Sequence, residues 1–63
     1  RSPDPALVMQ VQLRLAALGF DPGPPDGALG ARTRTALRAF KRLRGLKPEN
    51  DTLDDATMAA LFR

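Results

Sequence analysis

The chain has 63 residues, a formal net charge of +3 and 43% hydrophobic residues. A chain this short forms one small domain. Such a domain buries only about 60% of the surface that the unfolded chain exposes, so its core is small. It contains no cysteine, histidine, tryptophan or tyrosine, which excludes disulfide frameworks, thiol nucleophiles and histidine-based acid–base or metal chemistry. No apolar run approaches the ~20 residues of a membrane span. The composition therefore favours a compact binding module over an enzyme and implies no cofactor.

The first predicted element is a helix over residues 6–18. Residues 1–5 are polar and form a lead-in, in which Asp4 is the N-cap and Pro5 suits the first helical turn. Apolar residues then recur at helical spacing at Leu7, Val8, Val11, Leu15 and Leu18. Gly19 is predicted to end this helix in a positive-φ conformation.

A rigid loop is predicted over residues 21–27, where three prolines and two glycines exclude a helix or an inner strand. The second helix is predicted over 30–44 and ends at Gly45. Its inward-facing residues are expected to be Thr33, Ala36, Leu37, Phe40 and Leu43. The opposite face is expected to carry Arg34, Arg38, Lys41 and Arg42.

A second loop is predicted over residues 47–52, followed by a third helix over 54–62. Asp54 is its predicted N-cap, and Asp55 favours the positive end of the helix dipole. The inward-facing residues of this helix are expected to be Thr57, Met58, Leu61 and Phe62.

The chain also contains an internal repeat. Residues 26–37 match residues 50–61 at an offset of 24, through the pairs Leu29/Leu53, Thr33/Thr57, Ala36/Ala60 and Leu37/Leu61. Each repeat is preceded by an apolar or basic residue, a glycine and an apolar residue: Leu18-Gly19-Phe20 and Arg44-Gly45-Leu46. Since neither half can bury its apolar face alone, the sequence predicts an all-α three-helix bundle over residues 6–63, built from two pseudo-repeats that share the middle helix. The predicted core consists of Val11, Leu15, Leu18, Phe20, Leu29, Leu37, Phe40, Leu43, Leu46, Leu53 and Leu61.

The motifs behind this repeat resemble the peptidoglycan-binding domain that is common in bacterial cell-wall hydrolases. They are Val11-Gln12, Leu15, Leu18-Gly19-Phe20, Asp26-Gly27-Ala28-Leu29-Gly30, Thr33, Ala36-Leu37, Phe40, Gly45-Leu46, Leu53-Asp54, Thr57 and Leu61. The chain departs from the family pattern at Lys41, where glutamine is frequent, at Leu29, where an aromatic is frequent, and at Asn50-Asp51, which replaces a second Asp-Gly.

The resemblance implies a monomeric, non-catalytic domain that binds peptidoglycan outside the cytoplasm and targets a covalently attached enzyme to the wall. The same fold occurs in matrix-metalloprotease-like proenzymes, but their inhibitory segment contains a cysteine that this chain lacks. We expect the ligand to bind in a groove near Phe20, Asp26, Gly27, Gly30, Arg32 and Thr33.

Four of these groove residues, Asp26, Gly27, Arg32 and Thr33, also have a structural interpretation. Asp26 and Gly27 form a turn, although Asp26 is also able to accept hydrogen bonds from glycan hydroxyls or peptide amides. Thr33 is expected to bond a local backbone group. Gly30 allows close approach to the helix N-terminus, and Arg32 either lies in solvent or clamps a stem-peptide carboxylate.

Charge is unevenly distributed, because residues 28–47 contain seven basic residues and no acidic one. This stripe is either a solvated helix face or an attractor of polyanions. Nucleic-acid binding is disfavoured, because the loop is too long for a helix-turn-helix and no aromatic residue lies among the basic ones. A protein–protein docking module is the alternative function, since Met9 and Leu13 are expected to be exposed.

A metal site is not predicted. Calcium binding by aspartates is conceivable, but helix capping explains their positions more simply. The aspartates considered are Asp21, Asp51, Asp54 and Asp55.

Overall fold

A computed structural model describes residues 4–47 and 53–62. It contains three helices, α1 (Pro5–Ala17), α2 (Ala31–Leu43) and α3 (Asp55–Phe62), and no strand within those two ranges. The predicted all-α three-helix arrangement is confirmed, with each helix boundary within one residue of its predicted position. None of the described helices is both long and apolar enough to span a membrane. The predictions for residues 1–3, for most of the second loop with Asn50-Asp51, and for Arg63 lie outside the described residues.

Aspartate caps begin two of the three helices, as the sequence predicts. The carboxylate of Asp4 accepts a hydrogen bond from the Ala6 amide at 2.9 Å, and Pro5 occupies the first turn of α1. Oδ1 of Asp54 accepts from both the amide (2.9 Å) and the hydroxyl (2.6 Å) of Thr57. These bonds satisfy amide groups that have no partner within the helix.

The same glycine turn ends α1 and α2. Gly19 and Gly45 adopt φ values of +93° and +73°, which glycine reaches without steric cost. The amides of Phe20 and Leu46 then donate to the carbonyl five residues earlier, at 2.9 and 2.8 Å. This Schellman geometry turns an apolar side chain back toward the bundle after each helix, so the predicted repeat is visible in the backbone.

The core forms where α1 packs against both α2 and α3. Its fully buried hydrophobic cluster consists of Val11, Leu15, Ala36, Leu37, Phe40 and Leu61. Partly buried hydrophobic residues surround the cluster: Leu18, Phe20, Leu46, Leu53, Met58 and Ala60. Phe20 meets Phe40 edge to face, with ring centroids 5.8 Å apart. The Arg14 side chain donates to the carbonyl of Leu61 in the last turn of α3, which ties α3 to α1.

Two residues of the predicted core lie elsewhere. Leu43 is 72% exposed, and Leu29 is half-buried outside the core cluster. Leu43 is the last residue of α2, where the chain leaves the helix. The periodic apolar pattern is also wrong at Leu7 and Phe62, which are 38% and 45% exposed.

Lys41 was predicted to belong to the exposed basic face, but it is only 1% exposed. On a helix with 100° per residue, Lys41 and Leu43 lie at opposite edges of the apolar arc, so a small rotation exchanges them. Hydrogen bonds from Thr57, and to a lesser extent the positive charge of Lys41, lower the pKa of the Asp54 carboxyl. The flank of α2 that faces the start of α3 is therefore covered, and the flank that carries Leu43 is open.

Candidate functional site

The side chain of Gln12 organises the loop between α1 and α2. Gln12 is 1% exposed, and its Nε2 donates to the carboxylate of Asp26 (3.1 Å) and the carbonyl of Ala28 (3.0 Å). Nε2 also lies 3.0 Å from the Thr33 hydroxyl oxygen, and Oε1 accepts from the Gly27 amide at 2.9 Å. One buried amide side chain thus fixes both the loop and the first turn of α2.

Gly27 has a structural requirement of its own. Its φ is +79°, and a Cβ at this position would lie 2.9 Å from the carbonyl oxygen of Pro5. Any other residue would therefore adopt a strained backbone conformation and push the loop away from the start of α1.

Asp26 is exposed and acts as the acceptor of its own turn. Its Oδ1 accepts from the Ala28 amide at 3.0 Å as well as from Gln12. The Ala28 amide first, and then the Gln12 side chain, hold the pKa of the Asp26 carboxyl below its usual value. The predicted local capping role of Asp26 is therefore present.

Thr33 is buried, with 3% exposure. Its hydroxyl donates to the carbonyl of Pro22 at 2.8 Å while it accepts from Gln12. The predicted bond to a backbone group is present, but the partner lies across the loop and not within α2. Thr57, its counterpart in the repeat, bonds the local cap Asp54 instead.

The N-terminus of α2 opens beside this loop. Gly30 is the N-cap of α2, and no side chain caps the helix there. Its φ of −78° is accessible to any residue, and a Cβ at Gly30 would meet nothing within 4 Å. The first turn of α2 therefore begins without a side-chain cap, at the positive end of the helix dipole.

Arg32 lies in the first turn of α2 and forms an ion pair with Asp21 across the loop. Both side chains are exposed, at 64% and 72%. The Arg32 guanidinium, followed by the Gly23 amide, lowers the pKa of the Asp21 carboxyl. A Cβ on Gly23 would lie 3.2 Å from Cδ of Arg32, so the arginine stem rests against the loop backbone.

Five of the six predicted groove residues therefore lie on or beside the loop and the first turn of α2. Gly30 and Arg32 are exposed at the helix end, Asp26 is exposed in the turn, and Gly27 is half-buried. Thr33 lies beneath them. Phe20 is half-buried and packs against Phe40 instead. We call the exposed surface formed by Asp21, Asp26, Gly30 and Arg32 the loop surface.

The loop surface offers charge and hydrogen bonds, but no metal centre. Within the described residues, no three side chains of the types that ligate metals come together. The described carboxylates with lowered pKa values are those of Asp21, Asp26 and Asp54, all of which accept hydrogen bonds. These three carboxylates are therefore suited to act as ionised hydrogen-bond acceptors.

Gln12 is the structural residue for which the sequence interpretation gave no role. The helical periodicity of α1 predicts that Gln12 is buried. Gln12 falls within the same arc as Val8 and Leu15, two residues of the buried face of α1. A polar residue inside an apolar arc needs partners, and the adjacent proline–glycine loop provides them.

Comparison with known proteins identifies the family of the chain. A family model described as "Putative peptidoglycan binding domain" matches residues 4–61, a range that includes α1, α2, the loop, the glycine turns and all of α3 but its last residue. No curated protein and no solved structure gives a significant match. The chain therefore belongs to the peptidoglycan-binding domain family.

Proposed function

We propose that this domain binds peptidoglycan through the loop surface. The observation that carries the proposal is the open N-terminus of α2 beside Arg32, in a member of a peptidoglycan-binding family. The amides of a helix N-terminus favour anionic groups, and stem peptides of peptidoglycan carry carboxylates. Arg32 supplies a planar donor that is able to bind such a carboxylate in bidentate fashion.

In this proposal the loop residues have separate roles. Asp21 orients the Arg32 side chain, because their ion pair holds the guanidinium beside the N-terminus of α2. Asp26 has one carboxylate oxygen engaged by Ala28 and Gln12, and its other oxygen accepts hydrogen bonds from glycan hydroxyls or peptide amides. Thr33 supports the surface from below without touching the ligand.

The domain carries no catalytic step in this proposal and serves to localise an enzyme to which it is linked. Its own affinity is weak, because the loop surface provides few contacts. Linkage to an enzyme that engages the same polymer raises the effective concentration at the second site. Such a parent protein acts outside the cytoplasm, in the cell wall or periplasm.

Titration of the ¹⁵N-labelled domain with soluble muropeptides tests this assignment. We expect amide shifts concentrated in residues 26–33, and the strongest shifts at Gly30 and Arg32. Shifts confined to the outer faces of α1 and α3, or no shifts at millimolar muropeptide, would contradict it. Retention on insoluble wall sacculi at ~0.5 M salt, where exposed charges are screened, is the complementary expectation.

The variant Gly30→Ser separates ligand binding from folding. The backbone at Gly30 accepts any residue and its surroundings are open, and a serine N-cap stabilises a helix by a few tenths of a kcal/mol relative to glycine. Because the serine hydroxyl would occupy the amides offered to the ligand, we expect unchanged or higher stability and weaker muropeptide binding. Arg32→Gln should also weaken binding, whereas Lys47→Gln, an exposed charge change outside the loop surface, should not.

A docking function is the second candidate. Met9 and Leu13 lie one turn apart on α1 and are 41% and 55% exposed. Such a pair suits contact with the attached catalytic domain. If Leu13→Gln releases the domain from its parent enzyme but leaves sacculus binding unchanged, docking is an additional function of α1.

A further inference from the structure

Gln12 lies beneath the loop surface without being part of it. Its side chain is 1% exposed, so a ligand on the loop surface does not reach it. Its amide nevertheless contacts three consecutive residues of the turn that carries Asp26. Nε2 donates to the carboxylate of Asp26 and the carbonyl of Ala28, and Oε1 accepts from the amide of Gly27. A single side chain of α1 therefore fixes the position of this turn.

Thr33 carries these contacts across to the other side of the loop. Its hydroxyl oxygen lies 3.0 Å from Nε2 of Gln12 and donates to the carbonyl of Pro22 at 2.8 Å. Gln12, Thr33 and Pro22 are all buried. Asp21, the residue before Pro22, is exposed and pairs with Arg32. The buried hydrogen bonds therefore hold the loop at both ends, at the turn and beside the ion pair.

The second half of the repeat holds its threonine in a different way. Thr57, the counterpart of Thr33, bonds through its amide and its hydroxyl to Asp54, three residues earlier. At the offset of the two glycine turns, the position of Gln12 is taken by Arg38, which is exposed. A local cap is thus sufficient to hold a threonine at a helix start, and the repeat by itself does not require the long-range contacts of Gln12.

The two halves differ in what stands at the helix start. Gly30 occupies the position that corresponds to Asp54, and it provides no side-chain cap for α2. A carboxylate at this position would bond the first amides of α2, at which the proposed function places the ligand. Gln12 instead holds Thr33 from beneath the loop. The loop is therefore fixed although the N-terminus of α2 carries no side-chain cap.

We propose that Gln12 is a positioning residue, which sets the affinity of the loop surface for muropeptides without contacting them. The inference rests on the proposed function, because it concerns the same surface. A loop that is held in its binding shape beforehand loses less conformational freedom when the ligand binds. If the loop has that shape only part of the time, the apparent Kd rises by the reciprocal of that fraction. Gln12 acts on the ligand through the positions of Asp26 and the first turn of α2.

A matched pair of variants separates positioning from stability. Gln12→Met keeps the length of the side chain and removes its amide. Leu61→Val removes one methylene from a fully buried core residue of α3, which lowers stability outside the loop. Both are titrated with soluble muropeptides at a temperature where circular dichroism shows equal folded fractions. We expect Gln12→Met to weaken binding about fivefold, as for a loop in its binding shape about one fifth of the time, and Leu61→Val to leave it unchanged.

Hydrogen exchange measures the shape of the loop without any ligand. The amide of Gly27 donates to the buried Oε1 of Gln12, whereas the amide of Leu37 lies in the middle of α2. We expect the exchange rate of Gly27 relative to Leu37 to rise about tenfold or more in Gln12→Met, because the loop opens locally. The same ratio should not rise in Leu61→Val, which weakens the bundle as a whole.

Two results would overturn the role of Gln12 alone: equal muropeptide affinity of Gln12→Met and Leu61→Val, or an unchanged exchange ratio in Gln12→Met. Absence of muropeptide binding by the unmodified chain would overturn the proposed function and this role with it. If Gln12→Met does not fold, Thr33→Val takes its place. It keeps the branched shape, removes only the hydroxyl that bonds Pro22 and Gln12, and should weaken binding about twofold. Affinity equal to that of Leu61→Val would then be the contrary result.

Discussion

At the scale of single residues, buried polar groups define the loop. Gln12 bonds three different parts of the segment that follows α1: the Asp26 turn, the Ala28 carbonyl and Thr33. Because the Gln12 side chain is 1% exposed, removing its partners leaves a buried polar group unsatisfied, which costs more than a surface hydrogen bond contributes. The same shielding makes the site sensitive to a negative charge.

We expect Gln12→Glu to destabilise the domain by about 3 kcal/mol at pH 7, and by less at pH 4. The introduced carboxylate would be buried beside the carboxylate of Asp26 and the carbonyl of Ala28, so folding would raise its pKa. The folded state would then bind more protons than the unfolded state, and the free energy of unfolding would fall as pH rises.

Urea unfolding of Gln12→Glu at both pH values measures this effect. Gln10→Glu is the matched control, since Gln10 is exposed on the same helix and should change stability little at either pH. Equal losses for Gln12→Glu at pH 4 and pH 7 would show that the charge of the introduced carboxylate is not the source of the effect.

At the scale of elements, the rotation of α2 about its axis decides which side chains reach the core. The sequence pattern predicts a buried arc on α2 that has Leu43 and Leu37 at its edges. In the structure the edges of the buried arc are Ala36 and Lys41. Hydrophobicity alone predicts the wrong edge, because a lysine stem buries as well as an aliphatic side chain when its charge finds a carboxylate nearby. Asp54 at the start of α3 lies close enough for its carboxyl to interact electrostatically with Lys41.

Alanine substitutions on α2 test this orientation. Leu37 is fully buried and Leu43 is 72% exposed, so Leu37→Ala should cost about 2–5 kcal/mol and Leu43→Ala about 0.5 kcal/mol or less. Since a domain of this size has a total stability of about 3–9 kcal/mol, Leu37→Ala approaches complete unfolding. Denaturant titration measures both values, and similar losses for the two variants would refute the orientation.

At the scale of the whole molecule, three carboxylates link stability to pH. Hydrogen bonds from Arg32, Ala28 and Thr57 are the largest causes of the lowered pKa values of Asp21, Asp26 and Asp54, respectively. All three carboxylates accept hydrogen bonds from residues in the loop or in the first turn of a helix. The connections between elements thus depend on ionised side chains, in a domain whose core is small.

We expect the thermal midpoint to fall as pH drops from about 5 to about 2. Because folding lowers these pKa values below 3.8, the unfolded chain binds more protons in this range, and the stabilisation present above it is lost. Asp26→Asn and Asp54→Asn keep an acceptor oxygen but do not titrate, so the double variant should show a flatter pH profile. A constant midpoint between pH 5 and pH 2 in the unmodified chain would contradict this.

Local sequence signals determined most of the fold. Helical spacing, the caps at Asp4 and Asp54, and the glycines at 19 and 45 act within a few residues of the backbone, so they predict the three helices and both glycine turns. The motif order predicted the family, and the candidate site residues stay a prediction.

Only the tertiary structure decided which partners the side chains find. Burial of Lys41 and exposure of Leu43 depend on where α3 packs, and the role of Gln12 depends on a loop that folds back over α1. The pairing of Arg32 with Asp21 likewise joins residues on two sides of the loop. Periodicity describes one helix at a time, whereas these contacts arise between segments, where hydrogen bonding and charge outweigh the hydrophobic pattern of either segment alone.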